Sequence, residues 1–531
     1  MSGATLQLTA WGTEDAPLTA SPEMTYFKIG YKRHSLFAMT PVVQSLGPLD
    51  FGKEVNFQID VTGDMIHRMY LQLNITGADT GSVNKKWGWV DSLGHAIIEC
   101  IDIKPGNTSI DKHYGDWLHV WNSLSSNKGQ ENGYDRLIGN TSPMTKLVRN
   151  HSGCTIYIPF QFFFNRSVGL SLPVVGMYGI SFFMNIRLRA LAQCINRTAN
   201  VSVSDLRLSV ESANLIYDAI FLDMSERKTF TSYKQEYLVE LLQCSANNPV
   251  TSVATKLTPN FSHPVKFMIW HIKMGKYNTG KKFLGYDSNN WEDMIKKATA
   301  RFCLSLAKTI NREGVLMLDL PTNSGFIQID PAIVASRRAD LVELFNLAHP
   351  YAINTELDVD NVQIMGSYLT LDKVSTPVDI LFADVQSVRD HKGDGSPQYD
   401  IVLYQWDNYG MFIDKSKNPI SYSKIFFSNG ERLPELPGTY YNLVQPYQHF
   451  TNTPPDGINV YSFAIYPEKH QPSGSANFSR FESIRIECRL GDDDVNFKTT
   501  YLDDDTRATV YCVGYNLFRL YTGLAGLAYA Q

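Results

Sequence analysis

Glu54-Val-Asn-Phe-Gln-Ile-Asp-Val-Thr62 and, beyond a Gly63-Asp64 turn, Met69-Tyr-Leu-Gln-Leu-Asn-Ile-Thr76 are the segments on which the fold is decided. In the first, Val55, Phe57, Ile59 and Val61 alternate with Asn56, Gln58, Asp60 and Thr62; in the second, Met69, Leu71, Leu73 and Ile75 alternate with Tyr70, Gln72, Asn74 and Thr76. A period of two puts each apolar set on one dry face, so both segments read as half-buried strands, predicted to be neighbours in an antiparallel sheet.

The same beat continues outward. Ala96 to Ile103, Thr155 to Phe164, Ile180 to Leu191 and Leu206 to Leu222 are further candidate strands, separated by stretches rich in Gly, Asn and Pro, with hardly a helix among them. Such a run predicts a sandwich or barrel. Between Asp223 and Glu236 the sequence DMSERKTFTSYKQE loses the beat and becomes polar, which marks a linker between a first unit ending at Leu222 and a second beginning at Tyr237. Strand signals resume at Tyr237 to Cys244, Val265 to Met274, Ile401 to Gln405, Ile458 to Tyr466, Ser483 to Leu490 and Ala508 to Tyr521. The prediction is an all-β chain with two similar units, although no residue-level repeat links them.

The second unit is predicted to carry a partly helical insertion over about 275–440. Trp291 to Ile310 and Pro331 to Leu347 have helical spacing, the latter opening with Asp330 as N-cap and Pro331 at the first helical position. RDHKGDGSPQYD, Arg389 to Asp400, is a soft stretch within it. At the other end, residues 1–24 lack a sustained strand pattern and read as an arm outside the first unit.

Composition narrows the function. The 531 residues carry 48 Lys and Arg against 53 Asp and Glu, a formal charge of -5, so the basic excess that neutralises phosphates is missing and direct nucleic-acid contact is not expected. The opening MSGATLQLTAWGTEDAP has no secretory pattern, and no stretch approaches the ~20 apolar residues of a membrane span. Seven cysteines, Cys100, Cys154, Cys194, Cys244, Cys303, Cys488 and Cys512, lie far apart with no CxxC, and read as buried free thiols. Phe and Tyr number 28 each, an aromatic content suited to broad sheets.

Several motifs bear on chemistry. Gly275-Lys-Tyr-Asn-Thr-Gly280-Lys281-Lys282 matches the start of a phosphate-binding loop, but Lys282 stands where Ser or Thr must hold Mg²⁺, and the surroundings are antiparallel rather than parallel α/β. His113 and His119 flank Asp116 without a third ligand at metal spacing. Asp492 to Asp494 and Asp503 to Asp505 lack the ligand spacing of a Ca²⁺ loop and read as turns capping strands. The sequons at Asn74, Asn107, Asn140, Asn165, Asn196, Asn200, Asn260 and Asn477 matter only on entry to a secretory lumen. No catalytic, cofactor or metal site is expected. Trp87, Trp89, Trp117 and Trp121, if exposed, would allow another reading, a carbohydrate-binding or glycan-cleaving β-sandwich; core or interface anchors are the expectation.

A set of phrases in order along the chain resembles the major capsid proteins of large icosahedral nucleocytoplasmic double-stranded DNA viruses, the group of algal viruses, iridoviruses and giant viruses of amoebae. They are TYFKIGYKRH (Thr25 to His34), SIDKHYGDW (Ser109 to Trp117), IPFQFFFNRSVGLSLP (Ile158 to Pro173), FLDMSER (Phe221 to Arg227), NFSHP (Asn260 to Pro264), VQPYQ (Val444 to Gln448), QPSGSANFSR (Gln471 to Arg480) and GLAYA (Gly526 to Ala530). The chain looks most like the algal-virus branch, departing from it in the 275–440 excursion. The resemblance implies a double jelly roll, two eight-stranded antiparallel β-sandwiches at 25–222 and 237–531. It also implies a homotrimeric, pseudo-hexagonal capsomer and an icosahedral virion shell over an internal membrane, made and assembled in host cytoplasm, with minor capsid proteins as further partners. Within its phrases, Phe160, Phe162, Phe163 and Phe164 are too great an apolar load for one strand face and must bury between sheets or between units, while Arg480 is expected to bond loop carbonyls at a corner.

Overall fold

Sixteen strands of the computed structural model fall into two sets of eight with the same connectivity. The structure describes residues 35–82, 85–106, 108–197, 201–288, 418–428, 430–491, 498, 502–521 and 523–529, together with the backbone of four short strands between 326 and 404. The first set is β1 (Phe37–Ser45), β2 (Glu54–Gln58), β3 (Met65–Ile75), β4 (Ile98–Pro105), β5 (Asp111–Tyr114), β6 (Cys154–Pro159), β7 (Phe182–Leu188) and β8 (Val210–Leu222). The second is β9 (Gln235–Pro249), β10 (Ala254–Leu257), β11 (Pro264–Lys273), β12 (Ile420–Phe427), β13 (Gly430–Pro437), β14 (Asn459–Ser462), β15 (Ile484–Leu490) and β16 (Arg507–Tyr521).

In the first set the sheets run β1-β8-β3-β6 and β2-β7-β4-β5; in the second, β9-β16-β11-β14 and β10-β15-β12-β13. Adding eight to every strand number of the first unit gives the second. The duplication invisible at residue level thus appears in the order of these strands: the molecule is a double jelly roll, each half built on two facing four-stranded antiparallel ladders, with Ala476–Asn477 and Leu524–Leu527 adding to β11 and β16 in the second.

The two segments that decided the fold class are both strands, but they are not neighbours. β2 pairs with β7 in one sheet and β3 with β8 and β6 in the other, so the chain crosses the sandwich between them. Alternation reports which face of a strand is dry, and both sheets turn their dry faces to the same core, so the pattern alone does not distinguish a partner beside a strand from one opposite it. In β3, Leu71 pairs with Leu215 and Ile158, and Leu73 with Ala213 and Ile156, all at most 2% exposed.

Helices are more numerous in the first unit than the sequence predicted. The expected strand Ala96 to Ile103 begins as a short helix, α1 (Leu93–Ile97), before β4. Beyond β5 come α2 (Gly115–Ser125) and α3 (Glu131–Ile138). The linker region holds α4 (Met224–Ser232), none of whose residues is buried.

The excursion from the second sandwich is also shorter than 275–440, because β12 and β13 lie inside that range and pair with β15 and with each other. Their alternation is masked by small polar side chains turned inward: Ser421 and Ser423 are buried on β12 while Tyr422 is exposed. Of the remainder, Asp384–His391 pairs with Pro397–Tyr404, so both ends of the Arg389 to Asp400 stretch lie in paired strands. The two predicted insertion helices, the arm at 1–24 and the Asp492 to Asp494 run lie outside the described residues.

Along β11, the sheet β9-β16-β11-β14 is dry on both faces. Eight successive residues of β11, Val265 to Ile272, are buried. Met268, Trp270 and Ile272, with Val510 and Cys512 of β16, enter the second sandwich's own core. Phe267 and Ile269, with Tyr511 and Val513, join instead the apolar cluster that fills the first sandwich. One sheet thus serves as the inner wall of its own jelly roll and as the wall shared with the other.

Candidate functional site

The seam between the jelly rolls is where chemistry-bearing side chains gather. From the first unit, α2 contributes Trp117, Trp121 and Leu124, spaced by four and three residues and so aligned on one helix face. The helix starts where it does because of Gly115: a Cβ there would sit 2.1 Å from the His95 carbonyl oxygen and 2.3 Å from that of Ile98, so only glycine lets α2 lie so close to α1 and β4. Trp117 and Trp121 are stacked 5.8 Å apart, and Trp117 lies 5.4 Å from Tyr511 of β16. Phe450 closes edge-on against Phe267 at 5.4 Å. Phe163, following β6, reaches Phe518 of β16 at 6.1 Å.

Backbone and side-chain hydrogen bonds also cross the seam. The Leu242 amide donates to the Asp111 carboxylate at 3.2 Å, and the Asn452 amide to the Leu124 carbonyl at 2.9 Å.

Two charged groups are embedded here. Glu240 of β9 accepts from Lys266 Nζ at 2.6 Å and from Arg166 of the first unit at 3.2 Å, with His470 Nδ1 at 3.4 Å. Lys266, with no exposed surface, also donates to the Lys469 carbonyl at 3.0 Å. Burial opposes the Glu240 charge, yet the hydrogen bond from His470 and the charges of Arg166 and Lys266 outweigh it and hold the carboxyl below its usual range. Burial likewise lowers the Lys266 ammonium, against the pull of Glu240.

The second group surrounds Asp116, which accepts from Arg189 at 3.1 Å. Its burial is overcome by Arg189 and Lys273, which bring the carboxyl down to about 2. His95, His119, His271 and Tyr286 pack around it.

The residues singled out from sequence distribute as follows. Trp87, Trp89, Trp117 and Trp121 are all at most 5% exposed, so the surface rings required by a carbohydrate-binding sandwich are missing at these positions. Phe160, Phe162, Phe163 and Phe164 are all buried, Phe163 at the seam. His113 and His119 are separated by the turn from β5 into α2. His113 lies 3.1 Å from Asp111 and stacks on Phe162, whereas His119 faces His95. Among the described residues no three His, Cys, Asp or Glu side chains are arranged to hold a metal ion.

The Gly275 to Lys282 stretch follows an antiparallel strand as a short 3-10 turn. The Gly275 amide donates to Asp503, while Lys281 and Lys282 lie 3.9 Å from Asp91 and Asp287. Asp503 also receives the Thr506 hydroxyl at 2.6 Å, at the turn before β16. Among the sequons, Asn165 is buried with its amide donating to the His67 carbonyl at 2.6 Å, and Asn260 and Asn477 are exposed.

Arg480 is a correction: it is exposed, and the corner is held instead by Asn477, which accepts from the Ser479 amide, and by Ser479, whose hydroxyl accepts from the His263 amide at 2.8 Å. A short side chain within reach of the turn's own amides needs no long arm to hold them.

Glu240, Lys266, Arg166 and His470 were missed. A signal existed, since Lys266 and Glu240 each interrupt an otherwise apolar strand run, which marks a buried charge needing a partner. No helix among the described residues is long and apolar enough to cross a membrane.

Comparison with known proteins completes the picture. Residues 226–526 match the family described as large eukaryotic DNA virus major capsid protein, and residues 25–234 match the major capsid protein N-terminus. Capsid protein 1 of Acanthamoeba polyphaga mimivirus is 29% identical over 600 aligned residues, and the major capsid protein of Phaeocystis pouchetii virus 29% over 568, each covering 100% of both chains. Among solved structures, a chain of the PBCV-1 virus capsid aligns with a TM-score of 0.60 at 21% identity, covering 96% of this chain and 100% of that one. The Faustovirus major capsid protein gives 0.58 at 10% identity, covering 96% and 94%. With its double jelly roll and both segments matched, the chain belongs to the major capsid protein family of large eukaryotic DNA viruses.

Proposed function

We propose that this chain, a structural and non-enzymatic protein of the virion capsid, works as a homotrimer whose six jelly rolls give a pseudo-hexagonal capsomer, and that such capsomers tile an icosahedral shell over an internal membrane. The observation that carries this is the identical strand order of the two halves. One chain supplies two similar wall segments, and three chains supply six, the number a hexagonal tile needs. A second observation supports self-association. The edge strand β1 leaves Phe37, Met39 and Val43 exposed, at 53%, 43% and 61%, an apolar edge that another copy would cover.

In this reading the units are an arm at 1–24, a first jelly roll at 25–222, a linker at 223–236 whose last two residues already pair in β9, and a second jelly roll at 237–531. The arm faces the shell interior and meets minor capsid proteins, and assembly takes place in host cytoplasm without direct nucleic-acid contact. The test is the mass and outline of the purified chain. Light scattering should give three chains of 59.9 kDa, about 180 kDa, and electron microscopy uniform hexagonal particles. A monomer persisting at micromolar concentration overturns the proposal.

A further inference from the structure

The group around Asp116 spans the seam beside its aromatic packing, with Tyr511 touching both Trp117 and His271. It is built from residues of both halves: His95 on α1, His119 and Asp116 on α2 and Arg189 beyond β7 from the first; His271 and Lys273 on β11, Tyr286 and Tyr511 from the second. The His271 ring lies 4.1 Å from that of Tyr286 and 5.8 Å from that of Tyr511; the His119 ring lies 6.4 Å from Tyr286 and 5.8 Å from His95.

His271 is 1% exposed and neither of its ring nitrogens has a hydrogen-bond partner. The Tyr286 hydroxyl, the free oxygen of Asp116 and Nδ1 of His95 are in the same condition, while Nε2 of His95 meets the Tyr134 hydroxyl at 2.7 Å. Such orphaned polar atoms are uncommon in a protein interior, and five of them on one cluster need an explanation.

We propose that this cluster is an acid-sensitive latch, and that proton uptake by the seam histidines parts the two jelly rolls while each sandwich remains folded.

The charge count gives the direction. With neutral imidazoles the cluster holds Lys273 and Arg189 against one carboxylate, Asp116, a net charge of +1. The remaining titratable neighbours, Tyr134, Tyr286, Tyr511 and Cys244, are held protonated by burial and supply no further anion. Each proton on His95, His119 or His271 therefore adds to an existing positive excess.

Burial, against the partial help of Asp116, holds His119 and His271 down to about 4, and burial together with His119 holds His95 well below its ordinary value. A histidine with a depressed value in the closed seam takes a proton more readily once the seam opens. Closure is thus favoured above about pH 6.5, the ordinary imidazole value, and progressively lost as pH falls from there toward 4. Each participating histidine raises the opening constant about tenfold per pH unit within that window.

The test is hydrogen exchange of the full-length chain by mass spectrometry from pH 7 to 4.5, corrected for intrinsic exchange rates. Peptides covering α2 and residues 283–288 should lose protection as pH falls, while β3 and β8 and the pair β12 and β15 keep theirs. The opening constant should rise about a thousandfold per unit between pH 6 and 5, as His95, His119 and His271 ionise, and His271→Phe, which keeps a ring but takes no proton, should reduce that to about a hundredfold. Seam protection unchanged to pH 4.5, simultaneous loss of protection in seam and sandwiches, or an undiminished slope in His271→Phe would each overturn the latch. If His271→Phe does not fold, the wild-type slope decides, and a rise smaller than tenfold per unit counts against the proposal.

Discussion

Trp121 of the first jelly roll and Phe267 of the second lie nearly parallel, with ring centroids 5.8 Å apart and planes 12° from coplanar. Arg166 lies over the Trp121 ring at 5.0 Å from its centroid, so the indole is enclosed by the other half of the molecule on one side and by a cation on the other. Trp121→Ala should therefore cost about 3–5 kcal/mol, the range for emptying a buried indole site. Denaturant unfolding followed by fluorescence would check it, and a loss below 1 kcal/mol would show that the seam contributes little to cohesion.

Removing the carboxylate at the centre of the other charged group leaves buried cations without a counter-ion. Glu240→Ala strands Lys266 and Arg166 and should cost about 3–5 kcal/mol. Glu240 is held below its usual range in the folded chain, so its contribution is present above the ordinary carboxylate value and lost as pH falls through the folded value. The penalty of Glu240→Ala measured at pH 7 should accordingly shrink at pH 3. A penalty independent of pH would mean that packing, not charge, sets it.

Gly115→Ala places a methyl group against two backbone carbonyls that do not move independently of α1 and β4. A loss of about 3 kcal/mol or more is expected, beyond the usual cost of overpacking because no flexible side chain can give way. Gly129→Ala, where a Cβ meets nothing within 4 Å, is the control and should be near neutral. Thermal melts of the two variants separate steric from conformational effects.

The described cysteines should resist alkylation in the native state. Cys100, Cys194, Cys488 and Cys512 are buried, and burial pushes the half-buried Cys154 and Cys244 thiols up to about 11 and about 12. Thiolate, the reacting species, is then scarce at pH 8. Mass spectrometry after a brief iodoacetamide pulse should find these six unmodified, and all six modified in denaturant.

Fold class was legible because alternation survives in the strands that face a wet side, as in β3, where Leu71 and Leu73 alternate with Gln72 and Asn74. It failed where that rule lapses. β12 turns Ser421 and Ser423 inward and is hidden within the expected excursion, and α2 follows β5 directly, opening on a glycine whose role depends on two carbonyls, from α1 and β4. Sheet partnership between β2 and β3 was misjudged because a dry face does not name its neighbour. The seam was half legible: the tryptophans and the Phe160 to Phe164 run announced buried anchors, but which half they would meet depends on a register of strands hundreds of residues apart. Glu240 and Lys266 were readable as interruptions in apolar runs; the partners Arg166 and His470 were not, since only the folded chain brings them near.

The shared wall also sets a timetable. β9 cannot complete its ladder until β16 exists, and Asn248 of β9 pairs with Ala508, 260 positions later in the chain. At ribosomal speeds of roughly 5–20 residues per second, that separation is about 10–50 s of synthesis. The first jelly roll holds every strand of its own two sheets by Leu222, so during the interval Trp117 still lacks Tyr511, its neighbour on the last strand. Every newly made copy therefore waits for its last strand with the shared wall incomplete, and the length of that wait is fixed by the chain's own order of strands.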